Sequence, residues 1–147
     1  MKKMELPRKV AHNSVVELCG PLQVELLPSG LKVRLVKDYR VRVKSSSRFY
    51  HSIHPTVSVP KGFETDFASV PRLLWQVLPP WGRYSPAAVV HDYLYVNRKS
   101  MFSGNRKKVD KIFCYLMKKF GVPWWKRRIM YLGVRIGGWV AWRRHGQ

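Results

Sequence analysis

Residues 85–95 read S-P-A-A-V-V-H-D-Y-L-Y, a polar His91–Asp92 pair inside a run that is otherwise apolar or aromatic. Ser85 followed by Pro86 is a helix start: a hydroxyl at the N-cap, then proline at the first helical position. From there Ala87, Val90, His91, Leu94 and Tyr95 fall at i, i+3, i+4, i+7 and i+8, which is one face of a helix. The spacing predicts that His91 lies on the buried face with Asp92 one step round. An ionisable group on an apolar face needs a partner, because burying it alone costs several kcal/mol.

A second helix, predicted over residues 105–120, supplies one. Val109, Ile112, Phe113, Leu116, Met117 and Phe120 recur at helical spacing, with Asp110 at the edge of the stripe on the row of Arg106, Phe113, Cys114 and Met117. If the two helices pack antiparallel, Asp110 faces His91. Two readings follow. In one, a buried His–Asp bond only ties two helices together. In the other, the carboxylate fixes the imidazole tautomer and leaves the second ring nitrogen to act as a base.

The balance of charge narrows the partners. The chain of 147 residues carries 28 Lys and Arg against eight Asp and Glu, a formal net charge of +20. That favours an anionic surface: membrane lipid, nucleic acid or an acidic protein. Four of the eight carboxylates, Glu64, Asp66, Asp92 and Asp110, lie in the central block. At 46% hydrophobic and 13% aromatic residues, the composition excludes a disordered chain. Cys19 and Cys114 are too few for a disulfide framework and lack zinc spacing, which points to a reducing compartment. The start, M-K-K-M-E-L-P, has no apolar run of a signal peptide, and no stretch is long enough for a transmembrane segment.

Along the chain, residues 1–20 read as an N-terminal arm with a short strand at 15–18. Residues 21–147 read as a single α+β domain, β-rich over 21–66 and helical over 70–145. Val24 and Leu26, then Leu31, Val33 and Leu35, alternate with polar residues around Pro28-Ser29-Gly30, a hairpin signature, and Val41 and Val43 extend the alternation over residues 39–43. Lys32, Arg34, Lys37, Arg40, Arg42 and Lys44 make the outward side strongly cationic, read here as a solvated sheet face. Residues 49–59 resemble another strand pair. His51 and His54 within it point to opposite faces, which argues against a zinc site. Asp66 is a turn or cap residue, or a carboxylate for a metal beside Asp92. Leu73, Leu74, Val77 and Leu78 suggest a brief helix opening at Pro71, and 79–84 a rigid aromatic loop against the His91 helix. A third helix opens at Pro123. Its stripe of Trp125, Ile129, Leu132, Ile136, Trp139 and Val140 is read as a core-covering face, with Gly133 and Gly137 allowing close backbone approach. The competing reading lays this basic, tryptophan-bearing helix on an anionic membrane. The fold class is therefore α+β: N-terminal antiparallel hairpins, then three main helices with an antiparallel pair among them.

The segments F-E-T-D-F-A-S-V-P-R and W-G-R-Y-S-P-A-A-V-V-H-D-Y-L-Y, with the later R-K-K-V-D-K-I-F and V-R-I-G-G-W, resemble the domain-of-unknown-function 1353 family over about residues 62–142. That resemblance implies a phage or prophage origin, with the protein in the host cytoplasm when made or in the virion. H-D-Y-L-Y followed by R-K-K-V-D-K-I-F-C-Y-L-M is also similar to the helix pair of the calcium-dependent phospholipase A-two pattern. Carried over, the likeness implies His91 as the base that activates water, Asp110 as its orienting carboxylate and Tyr95 as a hydrogen-bond donor to that carboxylate. Asp92, with Asp66, would ligate a divalent metal, calcium or another. The family's glycine-rich calcium loop and its disulfides have no counterpart here. Arg72, Arg83 and Arg106, set in these motifs, are candidate contacts for an anionic ligand. Three functions are compatible: a His/Asp hydrolase, metal-assisted, acting on an ester or amide at an anionic surface such as lipid or cell envelope; a noncatalytic tail, virion or assembly component bound to other phage structural proteins; and a nucleic-acid-binding accessory protein.

Overall fold

A computed structural model describes residues 16–18, 20–28, 30, 32–43, 56–66, 82–97 and 105–144. The chain divides into two units, residues 1–66 and 67–147.

The first unit holds six short strands among its described residues: β1 (Val16–Leu18), β2 (Val24–Leu26), β3 (Val33–Leu35), β4 (Tyr39–Val43), β5 (Thr56–Val59) and β6 (Glu64–Thr65). They form two antiparallel sheets, ordered β1-β4-β5 and β2-β3-β6. The expected hairpin is β2–β3, in the register Val24↔Leu35 and Leu26↔Val33. It is closed by Leu27 N donating to Lys32 O at 2.9 Å, with Gly30 at φ 67° in the turn, where a side chain would be strained. Alternation is kept on β3, where Val33 and Leu35 are buried around a half-exposed Arg34, and on β5, where Val57 and Val59 are buried between exposed neighbours.

The alternation expected through β4 holds, with Tyr39 and Val41 buried and Arg40 and Arg42 exposed; the strand pairs with β1 and β5 in the other sheet. One expectation changes: the cationic face is partly neutralised. Arg34 donates to Glu64 at 2.6 Å and lies 3.5 Å from Glu25, because the register places those carboxylates on either side of it. Arg40 lies 3.7 Å from Asp38. The N-terminal arm before Val16, His51 and His54 lie outside the described residues, as do Lys44, Arg72, the helix expected from Pro71 and the loop through Trp81.

The second unit holds α1 (Ser85–Val96), α2 (Arg106–Lys119) and α3 (Trp124–Arg144). α1 starts one residue before the predicted point. Tyr84 is the N-cap, and the Ser85 hydroxyl turns back to accept from Gly82 N at 3.0 Å rather than capping the helix. Burial runs all round its first two turns, not along one face: every residue from Tyr84 to His91 is buried. α2 is capped by the Asn105 side chain, which accepts from Lys107 N at 3.0 Å. It ends at Gly121, φ 72°, with Gly121 N donating to Lys118 O and Val122 N to Met117 O, so the last carbonyls are satisfied. Phe113, Leu116 and Met117 of α2 and Leu94 of α1 are fully buried. Each such side chain contributes about 1.5–3 kcal/mol.

α2 packs against both α1 and α3. α3 departs most from the sequence reading. Trp125, Ile129, Leu132, Ile136 and Trp139 are exposed, and among the described side chains of α3 Met130 is the large apolar one that is buried. Gly133 and Gly137 meet none of the described residues within 4 Å, so they serve no close approach among them. Gly138 does: a methyl group built there would stand 2.7 Å from the Tyr95 hydroxyl.

Candidate active site

Three helices converge on Asp110, which has no exposed surface. His91 comes from the middle of α1 and Tyr95 from one turn later. Asp110 comes from the first turns of α2, and Arg135 from the middle of α3. His91 Nε2 lies 3.0 Å from Asp110 Oδ1. A carboxylate only accepts, so Nε2 is the donor and carries the proton. Tyr95 Oη donates to the same oxygen at 2.5 Å, and Arg135 Nη1 donates to Oδ2 at 2.8 Å. The order of contacts, His91 against Asp110 and Phe113 and then Tyr95 against Asp110, is that of antiparallel helices.

Aromatic rings hold the imidazole from the sides. Its centroid is 4.3 Å from the Tyr95 ring and 4.7 Å from the Phe113 ring, both tilted. Trp142 meets Tyr95 edge-on at 5.1 Å. The second ring nitrogen, Nδ1, is buried and makes no hydrogen bond to the described residues; Asp92 Oδ1 stands 3.6 Å from it. Asp92 is 20% exposed against 4% for His91, so the imidazole approaches solvent on the Asp92 side.

The charge states follow from these contacts. Burial pulls the His91 pKa down, but the Asp110 hydrogen bond and the nearby Asp92 carboxylate outweigh it, and the net shift is upward. Burial pushes the Asp110 carboxyl up; the bonds from His91, Tyr95 and Arg135 outweigh it and hold the group below its ordinary value. Burial, then the bond to Asp110, raises the Tyr95 hydroxyl far above the usual phenol range, so it remains a donor.

Arg83 and Arg106 lie at opposite ends of α2. Arg106 Nη2 donates to the Arg135 carbonyl at 3.0 Å, which places it beside α3 with its Nη1 buried and without a hydrogen-bond partner among the described residues. Arg83 reaches the Gly121 carbonyl at 3.5 Å, past the far end of α2. The length of α2, about 20 Å, therefore separates Arg83 from Arg106, and they do not form one anion site. Asp66 is exposed and belongs to the first unit. Among the described residues, no three His, Cys, Asp or Glu side chains gather as a metal-binding set. Calcium takes six to eight oxygens. The described residues alone do not supply that shell at Asp92, and no chemical step is routed through a metal.

Sequence reasoning missed Arg135 and Gly138. A signal for Arg135 was present: it is the cation in the middle of a long apolar run, and Asp110 is the last acidic residue of the chain. Gly138 lies three residues on and Trp142 seven, so all three share one side of α3.

The family model described as "Protein of unknown function (DUF1353)" matches residues 41–134. The chain belongs to the DUF1353 family. The matched region includes His91, Tyr95 and Asp110 but stops one residue before Arg135. Among curated proteins, this DUF1353 chain is similar to an uncharacterized protein, y4jT, of Sinorhizobium fredii (strain NBRC 101917 / NGR234), 35% identical over 82 residues. That alignment covers 54% of this chain and 23% of the relative, so the chain spans about a quarter of the protein it matches. No solved structure matches.

Proposed function

We propose that this DUF1353 protein is a small hydrolase in which His91 is the general base, acting on an ester or amide at an anionic surface. The observation that carries the reading is the division of labour on one buried imidazole. Nε2 is committed to Asp110, while Nδ1 makes no hydrogen bond to the described residues and faces the partly exposed Asp92 at 3.6 Å.

In the neutral ring Nδ1 bears the lone pair. It takes a proton from a water molecule as the water oxygen attacks the carbonyl carbon, and returns that proton to the departing oxygen or nitrogen. Asp110 stabilises the imidazolium formed between the two steps. Tyr95 and Arg135 hold that carboxylate in place and in its charged form. The likeness to the phospholipase A-two helix pair supports the same assignment of His91, Asp110 and Tyr95. The phage or prophage setting belongs to this proposal and rests on the sequence resemblance.

The upward shift of His91 has a sign that can be checked. The base form is present only above its raised pKa, so turnover increases with pH from above 6.5, the ordinary imidazole value. The test is turnover by purified protein on a panel of lipid esters and cell-wall amides, with calcium, zinc, manganese or chelator added in separate arms. His91→Ala and His91→Gln should lower the rate by about 10²–10⁴. Equal turnover by wild type and both variants, or none by wild type on the whole panel, removes the hydrolase reading. Activity that needs calcium would instead call for a metal set beyond the described residues.

A further inference from the structure

The outer face of α3 is apolar and exposed. Ile136 is 79% exposed, Leu132 57%, Trp139 49%, and Trp125 and Ile129 40% each. At 3.6 residues per turn these five side chains fall within an arc of about 80° and extend about 21 Å along the helix. The opposite side carries buried Met130, and Gly138 against Tyr95. α3 therefore has two apolar faces, and only one of them is covered among the described residues.

We infer that the outer face of α3 docks in the plane of an anionic lipid bilayer, with its aliphatic and tryptophan side chains among the acyl chains and its cations at the phosphates. Charge selects this occupant. α3 has six Lys and Arg and no Asp or Glu, and no acidic residue follows Asp110 anywhere in the chain. Arg128 and Arg143 are exposed and share the arc's side of the helix, flanking the stripe. Arg143 stacks on Trp139 at 3.8 Å, and Lys126 lies 5.2 Å from the Trp125 ring. Cation and indole thus sit together, as they do at headgroup depth, where amphipathic rings and basic side chains anchor an interfacial helix.

The other occupants fit less well. A second copy would bring Arg128 and Arg143 against the same cations, in a chain of net charge +20, with no carboxylate on α3 to compensate. Nucleic acid would use the arginines but leave Leu132 and Ile136 in water. No described helix is long and apolar enough to cross a membrane, so the contact is parallel to the surface. The inference stands independently of whether His91 turns over a substrate.

The test is co-sedimentation of the full chain with vesicles of phosphatidylcholine alone and of equal parts phosphatidylcholine and phosphatidylglycerol. Binding to the mixed vesicles, much weaker binding to the neutral ones, and a blue shift of tryptophan emission are expected. Leu132→Glu/Ile136→Glu should reduce affinity by about tenfold or more, since burying each side chain matters by that order, while its circular dichroism melt matches wild type. His91→Ala should bind like wild type, which separates this result from the fate of the hydrolase reading. Absence of binding to the mixed vesicles overturns the inference. So does equal binding by the double variant, which would leave charge alone as the attraction. Light scattering that shows a wild-type dimer and a monomeric double variant overturns it in favour of a second copy.

Discussion

At Asp110 the interior of the helical unit holds a carboxylate with no exposed surface, beside an imidazole that is almost as buried. On the outer side of α3, Ile136 and Leu132 stand in solvent. Charge inside and hydrocarbon outside reverse the usual placement. The two reversals have different physics. The buried charge is matched donor for donor: one carboxylate receives an imidazole, a phenol and a guanidinium from three residues. The exposed hydrocarbon is matched by nothing among the described residues of its unit. Inside, the carboxylate has its donors within three helices; outside, the stripe is left for another surface.

The sharpest way to break the comparison is to delete the carboxylate. Asp110→Ala leaves three donors without their acceptor, one of them a cation. It should cost about 3–5 kcal/mol in urea denaturation, as loss of one partner of a buried pair does. A cost near that of an exposed substitution would mean that the cluster is solvated, not sealed.

Titration probes the same network more gently. His91 has a raised folded pKa, so its contribution is complete below its unfolded value of 6.5 and is lost as pH rises through the folded value. Asp110 has a lowered folded pKa, so its contribution is complete above its unfolded value of 3.8 and is lost as pH falls through the folded value. The pair therefore stabilises most between pH 3.8 and 6.5. Denaturation midpoints measured across pH should show that plateau, and His91→Gln should flatten its alkaline limb.

Adjacent glycines sharpen the contrast within α3 itself. Gly138→Ala drives a methyl group into the Tyr95 hydroxyl and should cost about 1–3 kcal/mol, as overpacking does. Gly137→Ala meets open space and should stabilise by about 0.5–1 kcal/mol through helix propensity. Thermal melts of the two variants should move in opposite directions. The smallest effect belongs to the outer face, where Leu132→Glu/Ile136→Glu should change stability by no more than about 0.5 kcal/mol per site. A large loss there would show that the stripe supports the core after all.

How much of this was legible depends on the kind of signal each feature leaves. The bounds predicted for α2, residues 105–120, hold because the features that set them are local: the Asn105 side-chain oxygen two residues from an orphan N–H, and Gly121 at positive φ. His91 opposite Asp110 was readable because both lie on helical stripes and each needs a partner. The Ser85 cap was misjudged by one residue because its hydroxyl had a competing use on Gly82. The alternation through β4 was readable, but not its neighbours β1 and β5, because alternation tells which residues face inward and not which strand lies beside them. The partial neutralisation of the cationic face was hidden for the same reason: Glu64 is thirty residues from Arg34 in the chain and adjacent to it in the sheet.

What the chain order alone determined is the set of local preferences: where helices begin and end, which strands can hairpin, and that a histidine in an apolar run must find an acceptor. These depend on neighbours a few residues apart, and such neighbours are visible in a string of letters. Which of α3's two apolar faces points inward was decided only in three dimensions. The deciding contacts, Arg135 to Asp110 and Gly138 beneath Tyr95, join residues twenty-five and forty-three positions apart. An ion pair and a missing side chain set the rotation of the helix, and the larger hydrocarbon stripe was turned to the outside.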